Sequence, residues 1–186
     1  ATPKNSTVIG KPGMNWTEVY GQIIANVSGP EMVQGGYIVP PKVEVKQLPM
    51  VQGRQVIFDR DADNLIETLD DYQVGKALIC AKTTKQIIGL ISETEFCKEL
   101  EERGYSWMVI TSKTGAIIDG KKVNRELFFD TLNAWGKDNS KKFVVIHHSI
   151  ISEGISVSGL EAVIFMRPMD YTSIAQTIGR VVRLHH

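Results

Sequence analysis

Gln176, Gly179, Arg180 and Arg183 stand three, four and seven positions apart, the spacing that puts residues on one face of a helix. Two guanidiniums on one face suit a polyanion, because arginine keeps its charge and offers phosphate oxygens a rigid fork of donors. A glycine inside a helix costs about 1 kcal/mol against alanine, so Gly179 suggests a close approach to the backbone. His147 and His148 lie beside an apolar strand with no further ligand spacing, and Cys80 and Cys97 belong to no Cys/His cluster. No metal site is expected.

The elements that must position these groups follow from periodicity. From Lys76 onward the pattern alternates. Lys76 to Ala81 reads as a strand, followed by one long helix to about Arg103 that Gly104 closes. Ser106 to Thr111 is the next strand, and residues 112–120 form the loop after it. A helix then runs from Asn124 to Trp135, with Leu127, Phe128, Leu132 and Trp135 inward and Gly136 as its stop. Phe143 to Ile146 leads to a loop holding Ser152-Glu153-Gly154-Ile155-Ser156, and Ala162 to Met166 precedes the arginine helix. Asp170 is placed to cap that helix, with Ile174, Ile178, Val181 and Val182 seating it. Alternation of this kind calls for an α/β fold: a doubly wound, mostly parallel sheet with helices on both faces. Ligands of such sheets bind beyond the carboxyl ends of the strands.

Upstream the signals are weaker. Residues 1–13 read as loop, and Asn15 to Val27 as a mildly amphipathic stretch with Trp16, Val19, Ile23 and Ile24 on one face. Pro30 is placed to open a helical turn and Gly35-Gly36 to end it, while Pro40-Pro41 bars a central sheet position. Val43 to Val51 suggests an extended strand. Asp59 to Asp71 reads as a helix with acids in its first turn and Leu65, Ile66 and Leu69 inward.

At average residue usage, Q-x-x-G-R-x-x-R arises by chance in a chain of this length roughly once in a thousand. Here it follows S-E-G-I-S by one strand and one loop. The combination resembles the second RecA-like domain of a superfamily-2 helicase, with S-E-G-I-S similar to motif V and Q-T-I-G-R-V-V-R similar to motif VI. The stretch from Tyr20-Gly21 to Pro40-Pro41 is similar to the connection in restriction-enzyme-type and phage DNA helicases, and Ala1-Thr2-Pro3 to the tail of motif III. The resemblance implies an interdomain connection over 1–53 and the RecA-like domain over 54–186. It implies arginine fingers at Arg180 and Arg183 acting on ATP and Mg2+ held mainly by an N-terminal RecA-like domain. Gln176, Glu153, Gly154 and Ser156 would contact the nucleotide. Lys82, Thr83 and Thr84 correspond to motif IV, Ser112 and Lys113 to the following loop, and His148 with Ser149 to a phosphate-binding position. The expected track is DNA, with RNA as the alternative.

Two residues depart from the family pattern. Ser156 stands where an Asp usually meets the ribose, and His148 where many members have Thr. No phosphate loop of the G-x-x-x-x-G-K-[ST] type and no helicase-type acid pair occurs. Phosphoryl transfer needs those parts as well as the finger, so the chain on its own is expected not to hydrolyse ATP. The start without Met and the end just past motif VI suggest an excised domain. A rival expectation is a non-catalytic RecA-like module that binds nucleic acid or protein.

Composition sets the outer bounds. In 186 residues, 42% hydrophobic and 23% charged, there is room for a real core and no sign of disorder. Twenty-one basic residues balance 21 acidic ones, so any basic surface is local. Two scattered cysteines fit a reducing, cytoplasmic setting, and the resemblance implies a bacterial cell or a phage-infected host. No apolar run approaches membrane-spanning length.

Overall fold

The computed structural model describes residues 6–9, 21–26, 33–34, 37–38, 42–148, 157–167 and 169–183. In chain order the first strands are β1 (Ser6–Ile9), β2 (Gly21–Asn26), β3 (Val33–Gln34), β4 (Tyr37–Ile38) and β5 (Lys42–Gln47). Helix α1 (Arg54–Asp71), strand β6 (Lys76–Cys80), and helices α2 (Thr84–Ser92) and α3 (Phe96–Glu102) follow. Next come β7 (Ser106–Thr111), β8 (Gly115–Ile118), β9 (Lys121–Val123), α4 (Arg125–Lys137) and β10 (Phe143–His147). The chain closes with β11 (Val157–Ser158), β12 (Ala162–Phe165), α5 (Tyr171–Val181) and β13 (Val182–Arg183).

Among the described residues, nine strands form one sheet in the order β1-β5-β2-β12-β6-β10-β7-β8-β9. The parallel order expected from the alternation holds for the four central strands β12, β6, β10 and β7. Antiparallel wings extend the sheet on both sides, β2, β5 and β1 on one and β8 and β9 on the other. The fold is α/β with a mixed sheet. Every residue of β6 and β10 is buried, as central strands covered on both faces require. One face packs Leu78, Met108, Val145 and Phe165 against Phe128 and Leu132 of α4 and Ile174 and Ile178 of α5. The other packs Ile79, Val109, Ile146 and Ile164 against Leu65 and Leu69 of α1, Leu90 of α2 and Leu100 of α3. Each such large side chain, fully buried, contributes about 1.5–3 kcal/mol.

The structure corrects several expectations, each for a local reason. Ile23 and Ile24, expected on one helical face, lie in strand β2 and point into opposite cores. A strand buried on both faces loses its alternation and mimics a helical pair. Trp16 and Val19 lie outside the described residues. Val33 and Gln34, expected in a helical turn, pair as a strand with Ile38 and Tyr37, while Pro30 and Gly35-Gly36 lie outside the described residues. The first 53 residues thus place three strands, β1, β2 and β5, in the same sheet as residues 76–165.

Helix α1 begins five residues earlier than expected, and its first turn carries no acid. Its start is tied down from afar, by Arg54 Nη2 on Glu93 Oε2 and Gln55 Nε2 on the Glu93 carbonyl, both at 2.6 Å. The long helix expected to reach Arg103 is two helices broken at 93–95. There the Thr94 hydroxyl donates to the Leu90 carbonyl at 2.6 Å and accepts from the Phe96 amide at 3.1 Å, so a side chain competes with the helical ladder. Gly104 does close α3, at φ +84°.

The loop expected over 112–120 is mostly a hairpin, β8 and β9 joined by Asp119-Gly120 with φ of 48° and 87°. Both values are positive, as a two-residue type I′ turn requires. Helix α4 passes through Gly136 to Lys137 instead of stopping there, and Leu127 is 49% exposed instead of inward.

Candidate nucleotide and nucleic-acid interface

Because β12, β6, β10 and β7 run parallel, their carboxyl ends share one edge of the sheet. Register fixes the order there: Cys80 lies opposite both His147 and Phe165. The loops carrying Lys82 to Thr84, His148, and Ser112 with Lys113 leave from β6, β10 and β7, which are direct neighbours. The sheet brings these three predicted groups to one edge. Ser149 lies outside the described residues.

Residues 82–84 are held by α2. The Thr83 hydroxyl oxygen accepts the Gln86 amide hydrogen at 3.1 Å and so caps the helix. Gln86 Oε1 in turn accepts the backbone N–H of Lys82 at 2.7 Å. Lys82 and Thr83 are exposed and Thr84 half-exposed, so the Lys82 ammonium and the Thr83 hydroxyl hydrogen face solvent. Ser112 and Lys113, also exposed, sit at the tip of the β7–β8 hairpin. Their turn is fastened below by Thr114, whose amide donates to Thr111 Oγ1 at 2.9 Å. A basic and hydroxyl-bearing rim of this kind can hold backbone phosphates.

Beneath the rim the strand ends are polar. His147 is buried, with Nδ1 3.0 Å from the Ile110 carbonyl. Arg167, following β12, donates from Nη2 to the His148 carbonyl at 2.6 Å, tying the ends of β12 and β10 across β6. Burial pushes the Cys80 thiol far above its ordinary range, against a smaller downward pull from the Arg167 charge. Cys97 is pushed up to about 12, by burial first and then by Glu101 and Asp119. Neither is a thiolate near neutral pH, and both act as packing groups. Among the described residues no cluster of three or more His, Cys, Asp or Glu could hold a metal ion.

The second half of the interface is built on α5. Asp170 caps it as expected: Oδ1 accepts the Ser173 amide hydrogen at 2.7 Å, and hydrogen bonds from Ser173 hold its carboxyl below the usual range. Ile174 and Ile178 are buried against the sheet and Gln176 is exposed. Gly179 and Arg180 are helical, so Arg180 follows Gln176 by one turn on the same face. Arg183 departs from the expectation: the helix ends at Val181, and Arg183 belongs to strand β13 instead of the helical face. Glu153, Gly154 and Ser156 lie outside the described residues, as do the side chains of Gly179, Arg180 and Arg183.

Strand β13 pairs in parallel with β11, Val157 with Val182 and Ser158 with Arg183. The residues directly after S-E-G-I-S and the last residues of Q-T-I-G-R-V-V-R are therefore paired with each other. This two-stranded ribbon rests on α4, where a methyl group added to Gly136 would lie 2.6 Å from the Ser158 carbonyl oxygen. Lys76, 4% exposed, donates from Nζ to the Gly136 carbonyl at 2.8 Å and closes the same joint. Sequence reasoning read Gly136 as a helix stop and Lys76 as the first residue of a strand, and missed the contact between them.

The family described as "Helicase conserved C-terminal domain" matches residues 61–185. No curated protein and no solved structure matches the chain. The match runs from within α1 to β13 and takes in the rim and the ribbon together. Over those residues, well over half its length, the chain belongs to the helicase conserved C-terminal domain family.

Proposed function

We propose that this is the second motor domain of an ATP-dependent superfamily-2 helicase or translocase whose track is DNA. The observation that supports the reading is the β11–β13 ribbon, which pairs Val157 and Ser158, directly after S-E-G-I-S, with Val182 and Arg183 at the end of Q-T-I-G-R-V-V-R. A residue that must reach a phosphate at the right moment needs a fixed backbone, and strand pairing provides it.

The described residues fit a nucleotide contact on one side. Gln176 is exposed on α5, with Arg180 one turn later and the opposite face buried. Bound ATP with its magnesium ion would supply the phosphoanhydride bond whose hydrolysis drives the cycle. In this reading Arg180 and Arg183 reach toward the γ-phosphate of a nucleotide held mainly by an N-terminal RecA-like domain. Gln176, Glu153, Gly154 and Ser156 complete the contact. Charge-assisted hydrogen bonds made only in the ATP state give the differential contact that closure of the two domains requires. Lys82, Thr83, Thr84, Ser112, Lys113, His148 and Ser149 hold the phosphates of the strand while the domains move.

The test is Arg183→Ala in the intact protein. ATP turnover should fall by at least a hundredfold, in line with the weight an arginine finger carries, with strand binding retained. Turnover within a few-fold of the unmodified protein overturns the finger assignment. Ser156 in place of the ribose-binding Asp favours a second reading, a nucleic-acid-binding module without ATPase activity. In that case the unmodified intact protein shows no turnover.

A further inference from the structure

Asp61 is a buried acid, 3% exposed, that the proposed chemistry does not use. Its carboxylate meets Arg60 at 2.9 Å, the two side chains being 4% and 8% exposed. Arg60 also donates from Nη1 to the Pro49 carbonyl at 2.9 Å, in the segment that joins β5 to α1. The other Asp61 oxygen, Oδ2, accepts from Gln86 Nε2 at 3.1 Å. Gln86 Oε1 then accepts the Lys82 N–H, and the Gln86 amide donates to the Thr83 hydroxyl.

We propose that Gln86 is the positioning residue of the phosphate grip at Lys82 to Thr84, braced from beneath by Asp61 and Arg60. The inference rests on the reading of that loop as a nucleic-acid contact. An amide side chain has one accepting end and one donating end. With a carboxylate on one side and a backbone N–H on the other, only one orientation satisfies both. Turned over, it would set oxygen against oxygen and N–H against N–H. Asp61 therefore decides that the Gln86 oxygen faces Lys82. With its N–H committed to Gln86, the Lys82 backbone is held in place and its side chain starts from a fixed Cα on the exposed side of the loop. The Thr83 oxygen accepts the Gln86 backbone N–H, a cap that any residue at position 86 would supply, so the Gln86 side chain acts on Lys82. Gln86 touches no phosphate itself and acts through Lys82, which does in this reading.

The experiment is binding of a fluorescein-labelled oligo-dT strand to the intact protein across a salt series, for Gln86→Ala, Lys82→Ala and the double variant. Gln86→Met, close in volume and unable to make these hydrogen bonds, repeats the measurement if the alanine variant folds poorly. Gln86→Ala should weaken binding roughly tenfold and flatten the log-affinity against log-salt slope by about one, as for a lost phosphate contact. The double variant should bind about as the Lys82→Ala single variant does, because both remove the same contact. Wild-type affinity and slope in the Gln86 variants, or losses that simply add in the double variant, overturn the brace. Wild-type binding by Lys82→Ala overturns the phosphate-grip reading itself, and the brace with it.

Discussion

Tyr105 shows how a single side chain reports the integrity of the core. It is 5% exposed, and its hydroxyl donates to the Val74 carbonyl. Burial, then the charges of Asp70 and Glu161, push the phenol up to about 12 against the opposing pull of Arg103. The folded value lies above the unfolded one of about 10. The stability this group contributes is complete below about pH 10 and is lost as pH rises toward 12. In an alkaline titration followed by phenolate absorbance, one late-ionising tyrosine should be seen and should vanish in Tyr105→Phe. Ionisation of every tyrosine near 10 would contradict the buried placement. The residues carrying the proposed chemistry were named from sequence because their signal is local: a helical spacing, a Gly-bearing loop, hydroxyls after a strand. Gln86, Asp61 and Arg60 were not, because the contact that joins them, Gln86 Nε2 on Asp61 Oδ2, bridges 25 residues of sequence. Nothing in the sequence marks that pair.

At the scale of elements, local capping chemistry explains what was legible. Asn124 caps α4 through its side-chain oxygen on the Leu127 amide at 2.7 Å, as Thr83 caps α2 and Asp170 caps α5. The central strands were legible as short apolar runs. Elements were misread where one local pattern serves two structures. Ile23 and Ile24 read as a helical pair or a doubly buried strand, and Gly136 as a helix stop or a point of close approach. Asp119-Gly120 was a readable hairpin signal that the loop reading passed over. Tertiary packing decides the Gly136 case: its carbonyl takes the Lys76 ammonium and its Cα faces Ser158. Gly136→Ala should therefore destabilise the domain by about 1–3 kcal/mol through overpacking. ATP turnover of the intact protein should fall further than strand binding does, because the β11–β13 ribbon carrying Arg183 is displaced. Unchanged stability would mean that the ribbon does not rest on α4.

For the whole molecule, the parallel centre and the antiparallel wings divide the work. The centre supplies a rigid row of strand ends, and Arg167 ties the outermost of them to β10. The wings carry chain to the margins, with β8 and β9 adding the hairpin tip that holds Ser112 and Lys113. The wings were the least legible part, because the antiparallel pairing that joins β2 to β12 spans more than a hundred residues. Balanced charge over the whole chain means that strand binding depends on the local rim, so affinity should respond to single lysines there. No helix among the described residues is long and apolar enough to cross a membrane. The central claim concerns a motor that runs on nucleic acid, and steady-state ATP turnover of the intact protein, with and without single-stranded DNA, duplex DNA and RNA, tests it most directly. The expected result is stimulation of at least about tenfold by DNA, as closure of the two domains on a bound strand completes the site. Absence of turnover under every condition would contradict the motor and leave a binding module in its place.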